Sequence, residues 1–234
     1  LSLNSYLVDS QAGFVSVAFP NERRVIAISA NYVSHGDLRR TDTEGRDLGT
    51  FGAADLATYL TIAQRLGPDW LAAGLNLKAV YSSIDEYASD AYIFDIGLLA
   101  RGPLQGMHLG ATIANMGFVR TGYAGDFKDS LPVHIRLGLS HRLAHMPVPM
   151  LLLADFNLPN DNDPYLSFGL EVKLAGGLYI RPGYSTQQTG IDGEDPLGVS
   201  AGAGFAMDRY TIDYAYSSFS DLGDVHRVSV IGAF

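Results

Sequence analysis

Apolar and polar residues alternate along most of this chain. From Leu131 the odd positions read Leu131, Val133, Ile135, Leu137 and Leu139, while the even ones read Pro132, His134, Arg136, Gly138, Ser140 and Arg142. That is a period of two; a helix, with a period of 3.6, would scatter the same residues around its axis. Residues 164–174 repeat it, with Leu166, Phe168, Leu170, Val172 and Leu174 opposite Ser167, Gly169, Glu171 and Lys173. Residues 71–81 do the same, setting Leu71, Leu75, Leu77 and Tyr81 against Ala72, Gly74, Asn76 and Lys78. Extended along the chain, the pattern predicts fourteen strands, at 1–8, 12–20, 23–34, 51–66, 70–82, 90–101, 107–116, 131–142, 149–157, 164–174, 177–185, 197–207, 209–217 and 225–234.

The connections sort by length. Short ones at 67–69, 102–106, 175–176 and 207–208 alternate with long polar ones at 35–50, 83–89, 117–130, 186–196 and 218–224. Around 145–149 the link is longer than a tight turn, and Pro147 and Pro149 fit only a strand margin. Short turns on one side and long loops on the other are the signature of an up-and-down barrel with periplasmic turns and extracellular loops, and the count places both termini in the periplasm.

A soluble sandwich alternates too, so the content of the polar face decides. Here it holds Gly, Ala, Ser and isolated charges, namely Asp95, His108, Arg136, Glu171, Arg181, Asp213 and Arg227, which together with His134 are read as lining a lumen. Trp70, Tyr92, Tyr165, Tyr210 and Tyr216 fall near predicted strand ends on the apolar face, as an interfacial girdle would. No stretch approaches the roughly 18 apolar residues of a membrane helix, so spanning has to be done by strands. The expected fold is all-β, a transmembrane antiparallel up-and-down β-barrel of about fourteen strands, forming a single domain over 1–234 in the outer membrane. Asp213 and Arg227 are expected to pair across the last two strands.

Composition agrees: 47 % of residues are hydrophobic, 18 % are charged and 26 are Gly. A net charge of -9, with 16 Lys and Arg scattered singly or in pairs, argues against nucleic-acid binding. The absence of Cys excludes thiol catalysis, iron–sulfur ligation and disulfides. Because the chain opens at Leu1 inside a strand pattern with no secretion signal, an N-terminal part is expected to be missing.

Candidate chemistry is sparse. Gly198-Val199-Ser200-Ala201-Gly202 matches the hydrolase nucleophile elbow, but an elbow needs a strand-to-helix turn and another alternating strand follows. None of the six His forms the i, i+4 pair of a helical metal site, since His141 lies at the end of a predicted strand and His145 opens the connection after it. The acidic runs 160–163 and 192–195 could coordinate Ca²⁺ through hard oxygens, but runs of Asn, Asp and Gly are more often solvated turns. No catalytic residue, metal site or cofactor is expected.

The C-terminal run Ile212-Asp213-Tyr214-Ala215-Tyr216, followed by Phe219, Asp221-Leu222-Gly223-Asp224 and His226-Arg227-Val228-Ser229, resembles the PorV/PorQ family of outer-membrane proteins, relatives of the FadL fatty-acid channels. Weaker resemblances lie in Gly36-Asp37-Leu38, Leu48-Gly49-Thr50-Phe51, Asn115-Met116-Gly117, Leu131-Pro132 and Asn160-Asp161-Asn162-Asp163. The resemblance implies a fourteen-stranded FadL-like barrel. Its members carry an N-terminal hatch segment that this sequence lacks. It also implies a final strand whose terminal Phe234, after alternating apolar residues, serves as the barrel-assembly signal. For function it implies docking of secreted or surface proteins in type IX-like secretion, or within an envelope complex. The alternative it implies is uptake of hydrophobic small molecules. Partner-binding loops are then expected at 35–50, 117–130 and 186–196, through His35, Asp37, Arg39, Tyr123, Phe127, Asp192 and Glu194. The expected partners are the lipid bilayer and other envelope or secreted proteins.

Overall fold

The computed structural model describes residues 1–5, 10–67, 69–123, 128–143, 146–187, 198–218 and 224–233. Fourteen antiparallel strands close into one barrel in chain order, each pairing with its sequence neighbours and the last returning to the first. They are β1 (Ser2–Ser5), β2 (Gln11–Pro20), β3 (Arg24–Thr41), β4 (Asp47–Arg65), β5 (Leu71–Ile84), β6 (Tyr87–Arg101), β7 (Met107–Thr121), β8 (His134–Leu143), β9 (Met150–Pro159), β10 (Tyr165–Lys173), β11 (Leu178–Ser185), β12 (Gly198–Met207), β13 (Tyr210–Ser218) and β14 (Asp224–Gly232). Among the described residues only a short 3-10 turn, Ala175–Gly177, interrupts the all-β pattern, and no helix is long and apolar enough to cross a membrane.

Closure leaves no sheet edge, which is what a spanning sheet needs where no water can satisfy backbone groups. The two ladders of β1 are the shortest: it meets β14 from Ser2 opposite Ser229 to Ser5 opposite His226, and β2 from Ser2 opposite Phe14 to Ser5 opposite Gln11.

Register fixes the two faces. Contacts that skip a strand, such as Lys78 on β5 to Asn115 on β7 and Arg181 on β11 to Asp213 on β13, are possible only on the concave side, where side chains of alternate strands converge. That side is the lumen, and it carries the polar set. The convex side carries Val15, Val17 and Phe19, Leu75 and Leu77, Phe94, Ile96 and Leu98, Leu137 and Leu139, Leu166 and Phe168, all exposed as lipid-facing residues must be. Trp70, in the turn just before β5, and Tyr81 near its other end, both about half exposed, are eleven residues apart. Eleven residues span roughly 37 Å along the strand, or about 26 Å along an axis tilted by 45°, which matches the height of a barrel's apolar band. The outward-facing Asp90–Arg120 pair sits beyond Tyr92, past the end of that band.

Two expected loops are largely strand. The predicted loop 35–50 shrinks to a tip at 42–46, since β3 and β4 run on as a ribbon, with Asp37 opposite Gly52 and Arg39 opposite Thr50. The predicted loop 83–89 is a two-residue turn at Asp85 and Glu86, with Ile84 opposite Tyr87. In both segments polar residues fill a ribbon that stands outside the membrane, so hydropathy alone reads them as loop. Conversely, β8 starts at His134 and not at 131, because Pro132 has no amide hydrogen to give a ladder. Asn115 Nδ2 and Asn160 Nδ2 donate instead to the carbonyls of Pro132 and Leu131 (3.0 and 3.1 Å).

Candidate functional site

The lumen wall carries three polar clusters. In the first, Asn76 on β5 lies between neighbours, its side chain donating to Asp95 Oδ2 (3.0 Å) and its carbonyl oxygen accepting from Thr61 Oγ1 (2.8 Å). Lys78 Nζ reaches both Asp95 Oδ1 and Asn115 Oδ1, each at 2.8 Å, and Asp95 Oδ1 also accepts the Asn115 amide at 2.8 Å. These groups hold a β-bulge in β7: Phe94 faces Met116, but Ile96 faces Ile113. Asn115 takes a φ of 62° and Gly117 one of 157°. Gly117 is required there, since a Cβ would overlap the Tyr92 carbonyl oxygen.

The second cluster centres on Arg181, which donates to Glu171 Oε2 (2.7 Å) and to Asp213 Oδ1 (2.5 Å). The second of these bonds crosses β12, where Gly202 and Gly204 face Arg181 and Asp213 in register. A Cβ on Gly204 would intrude on the pair. The Arg181 guanidinium also lies 5.3 Å from the Tyr179 ring centroid, and Lys173 Nζ lies 5.6 Å from it. Asp213 and Arg227, expected to pair, do not: Arg227 faces Ala215 and donates to Asn4 Oδ1 (2.9 Å) across the closing seam. Opposite Asp213 stands Ser229, so Arg227 is displaced by two residues, and Arg181 is held closer because glycines clear its path.

In the third cluster Arg136 donates to Asn157 Oδ1 (3.0 Å), and the nearly inaccessible Asn157 donates to Ser167 Oγ (3.4 Å). His134 shares the row with Arg136. Its Nε2 is buried without a hydrogen-bond partner among the described residues, and its ring lies 6.3 Å from that of Tyr165. Tyr165 therefore faces the lumen in the row of Ser167, Gly169 and Glu171, not the lipid; an aromatic residue at a strand end does not show which face it takes.

Of the expected partner-loop residues, His35, Asp37 and Arg39 belong to β3, not to a loop. His35 faces the lumen and contacts Asp55 Oδ2 at 3.0 Å beside the Gly36 bulge, and Arg39 pairs with Asp47 at 3.1 Å. With Leu38, Ile84 and Tyr123, His35 and Asp55 line a hollow of about 350 Å³. Phe127, Asp192, Glu194 and the terminal Phe234 lie outside the described residues. Ser200 sits in mid-strand facing Gly183 and Ser217, so the Gly198–Gly202 motif makes no elbow. Asn76, Lys78, Asn115 and Asn157 were not singled out from the sequence as site residues. The first two already stood on the polar face, but nothing in the alternation marks the bulge that brings Asn115 inward.

No family model matches the chain, and no curated protein does either. Solved structures do. The chain is similar to the CymD monoaromatic hydrocarbon channel over 100 % of its own length and 87 % of that chain, with a TM-score of 0.68 and 13 % identity. It is similar to the Pseudomonas putida toluene transporter TodX over 98 % and 86 %, with a TM-score of 0.65 and 11 % identity. A Pseudomonas aeruginosa FadL homologue follows at 95 % and 78 %, with a TM-score of 0.53 and 14 % identity. The fold is that of the FadL-like outer-membrane barrels.

Proposed function

We propose that this barrel is an outer-membrane channel for small apolar molecules. One observation carries the reading. In mid-barrel the lumenal charges are engaged with one another, in Lys78–Asp95 and Glu171–Arg181–Asp213, so the wall offers a solute neutralised networks interleaved with the inward-facing Phe14, Tyr59, Ile93, Leu153 and Tyr165. An apolar molecule meets packing surface beside those paired charges, whose hydration it need not strip. The hydrocarbon carried by CymD and the toluene carried by TodX supply the substrate class, through chains that this one matches over 87 % and 86 % of their length. The test is uptake of toluene by cells with and without the gene. Slower uptake on deletion, restored by the wild-type protein and not by Leu153→Asp, supports the reading, and equal uptake refutes it.

A second reading rests on the ribbon formed by Asp37–Thr41 and Asp47–Gly52. Among the described residues it stands beyond the last ladder pairs that β2 and β5 make with it, Gln11 with Ser34 and Ile84 with Ala53, so past the Asp85 amide bond to the Gly52 carbonyl its edges carry no ladder. Such edges dock extended segments of other proteins, which is what a secretion-associated PorV-type barrel would use. Pull-down from detergent extracts would recover envelope or exported proteins with the intact ribbon and lose them when residues 40–48 are replaced by a Gly-Ser turn. A barrel that always isolates alone counts against it. Both readings take the short-turn rim, where Leu1 meets Val230 and Ala233 meets Arg209, as the periplasmic one, on the alternation of short turns and long loops.

A further inference from the structure

Each of the six hairpins at the short-turn rim places a basic residue at or beside its turn: Arg23, Arg65, Arg101, Arg142, Lys173 and Arg209. At the opposite end, by contrast, Arg39, Arg40, Arg46 and Arg120 are all held by carboxylates, of Asp47, Asp85, Glu44 and Asp90. Among the described residues at the short-turn rim, only Arg23 is so held, by Asp69 at 3.4 Å. Among the described residues the guanidinium groups of Arg65, Arg101 and Arg142 make no ion pair and no hydrogen bond.

Register turns this into an arc inside the lumen. Arg65 continues the inward row of Tyr59 and Thr61, Arg101 that of Asp95 and Gly97, Arg142 that of Arg136 and Gly138, and Lys173 that of Ser167 and Glu171. They end alternate strands β4, β6, β8 and β10, so neighbours are two strands, or roughly 10 Å, apart. That spacing is close to one Debye length at physiological salt, so their fields overlap across half the circumference. His108 faces Arg101 in register and adds to the arc. The carboxylates deeper in the lumen do not cancel it. Glu171 is taken by Arg181, and Asp155 stands four residues further up β9 than Leu151, the residue opposite Arg142, which is about 13 Å along the strand. In a protein of net charge -9, this one mouth is positive.

We propose that the short-turn mouth is an anion-selecting vestibule, in which Arg65, Arg101, Arg142 and Lys173 gather small anions and turn cations away. This goes beyond the apolar-solute reading and does not depend on it, since toluene carries no charge for the arc to act on. Rings of Arg and Lys bias a pore toward anions because a charge-lined mouth with low-dielectric walls concentrates counter-ions.

The test is the reversal potential of the purified full chain in a planar bilayer under a tenfold KCl gradient. The wild type is expected to pass chloride over potassium by roughly threefold or more. The triple variant Arg65→Glu, Arg101→Glu, Arg142→Glu should invert the preference. Should that variant fail to fold, judged by heat-dependent gel migration, Arg65→Gln, Arg101→Gln, Arg142→Gln should bring the ratio close to one. A wild type that is unselective, cation-selective or passes no ions overturns the proposal. So does a folded variant with unchanged selectivity. Toluene uptake measured in the same variants reports on the apolar channel separately.

Discussion

Arg181 on β11 reaches over β12 to Asp213 on β13, at 2.5 Å between Nη1 and Oδ1, and it does so above Gly204. The pair and the glycine form one unit, because a methyl group at 204 would occupy the space in which the two side chains meet. Asp213→Ala and Gly204→Ala should each lower the folded barrel's resistance to heat or urea by about 1 kcal/mol, the modest value expected of an ion pair in a partly wet lumen. Combined, they should lower it little more than either alone. Fully additive losses in urea titrations would show that the glycine and the ion pair are independent. Arg227→Ala should leave the loss caused by Asp213→Ala unchanged.

Gly117 tests the bulge. Gly117→Ala places a Cβ against the Tyr92 carbonyl oxygen in a conformation that L-residues avoid, and should destabilise by about 1–3 kcal/mol. The control is Gly110→Ala, whose added Cβ meets only the Leu98 oxygen at 4.0 Å. Equal midpoints for the two variants would contradict a bulge that depends on glycine.

Lys78 and Asp95 are the best-shielded ion pair described, with side chains 13 % and 21 % exposed. Lys78→Met leaves the Asp95 carboxylate without its cation and should cost about 2 kcal/mol. Adding Asp95→Asn to it should recover a large part of that loss, because no lone charge then remains. A double variant weaker than Lys78→Met by the full cost of Asp95→Asn alone would argue against coupling.

Asp90 lies two residues beyond Tyr92, outside the apolar band. Hydrogen bonds from Arg120, at 2.6 and 3.1 Å, hold its carboxyl below the usual carboxylate range. A lowered folded value means that the pair's stabilisation is present above the unfolded carboxylate range and disappears as pH falls through the folded value. Wild type and Asp90→Asn should therefore differ in heat resistance at pH 7 and converge in acid below the ordinary Asp range. A difference that persists unchanged at the lowest pH would assign the effect to something other than this charge.

The sequence reading and the structure part at identifiable places. Strand number and most of the lumenal row were legible, since Asp95, His134, Arg136, Glu171, Arg181, Asp213 and Arg227 occupy the polar phase of their strands. Loop 35–50 was misread because hydropathy measures lipid contact, and a ribbon standing in water has none. Asn115 was missed because a bulge shifts the phase by one residue, which alternation cannot register until the partner strand is in place.

Period two, loop spacing and the shortage of charge therefore determined by themselves that this chain is a lipid-facing barrel of fourteen strands, because each strand's two faces are dictated residue by residue by the solvent they meet. Which charges meet was decided only by the closed ring. Curvature brings alternate strands together on the inside, glycines clear a path between them, and a pair such as Arg181 and Asp213, 32 positions apart, exists only once that geometry is complete.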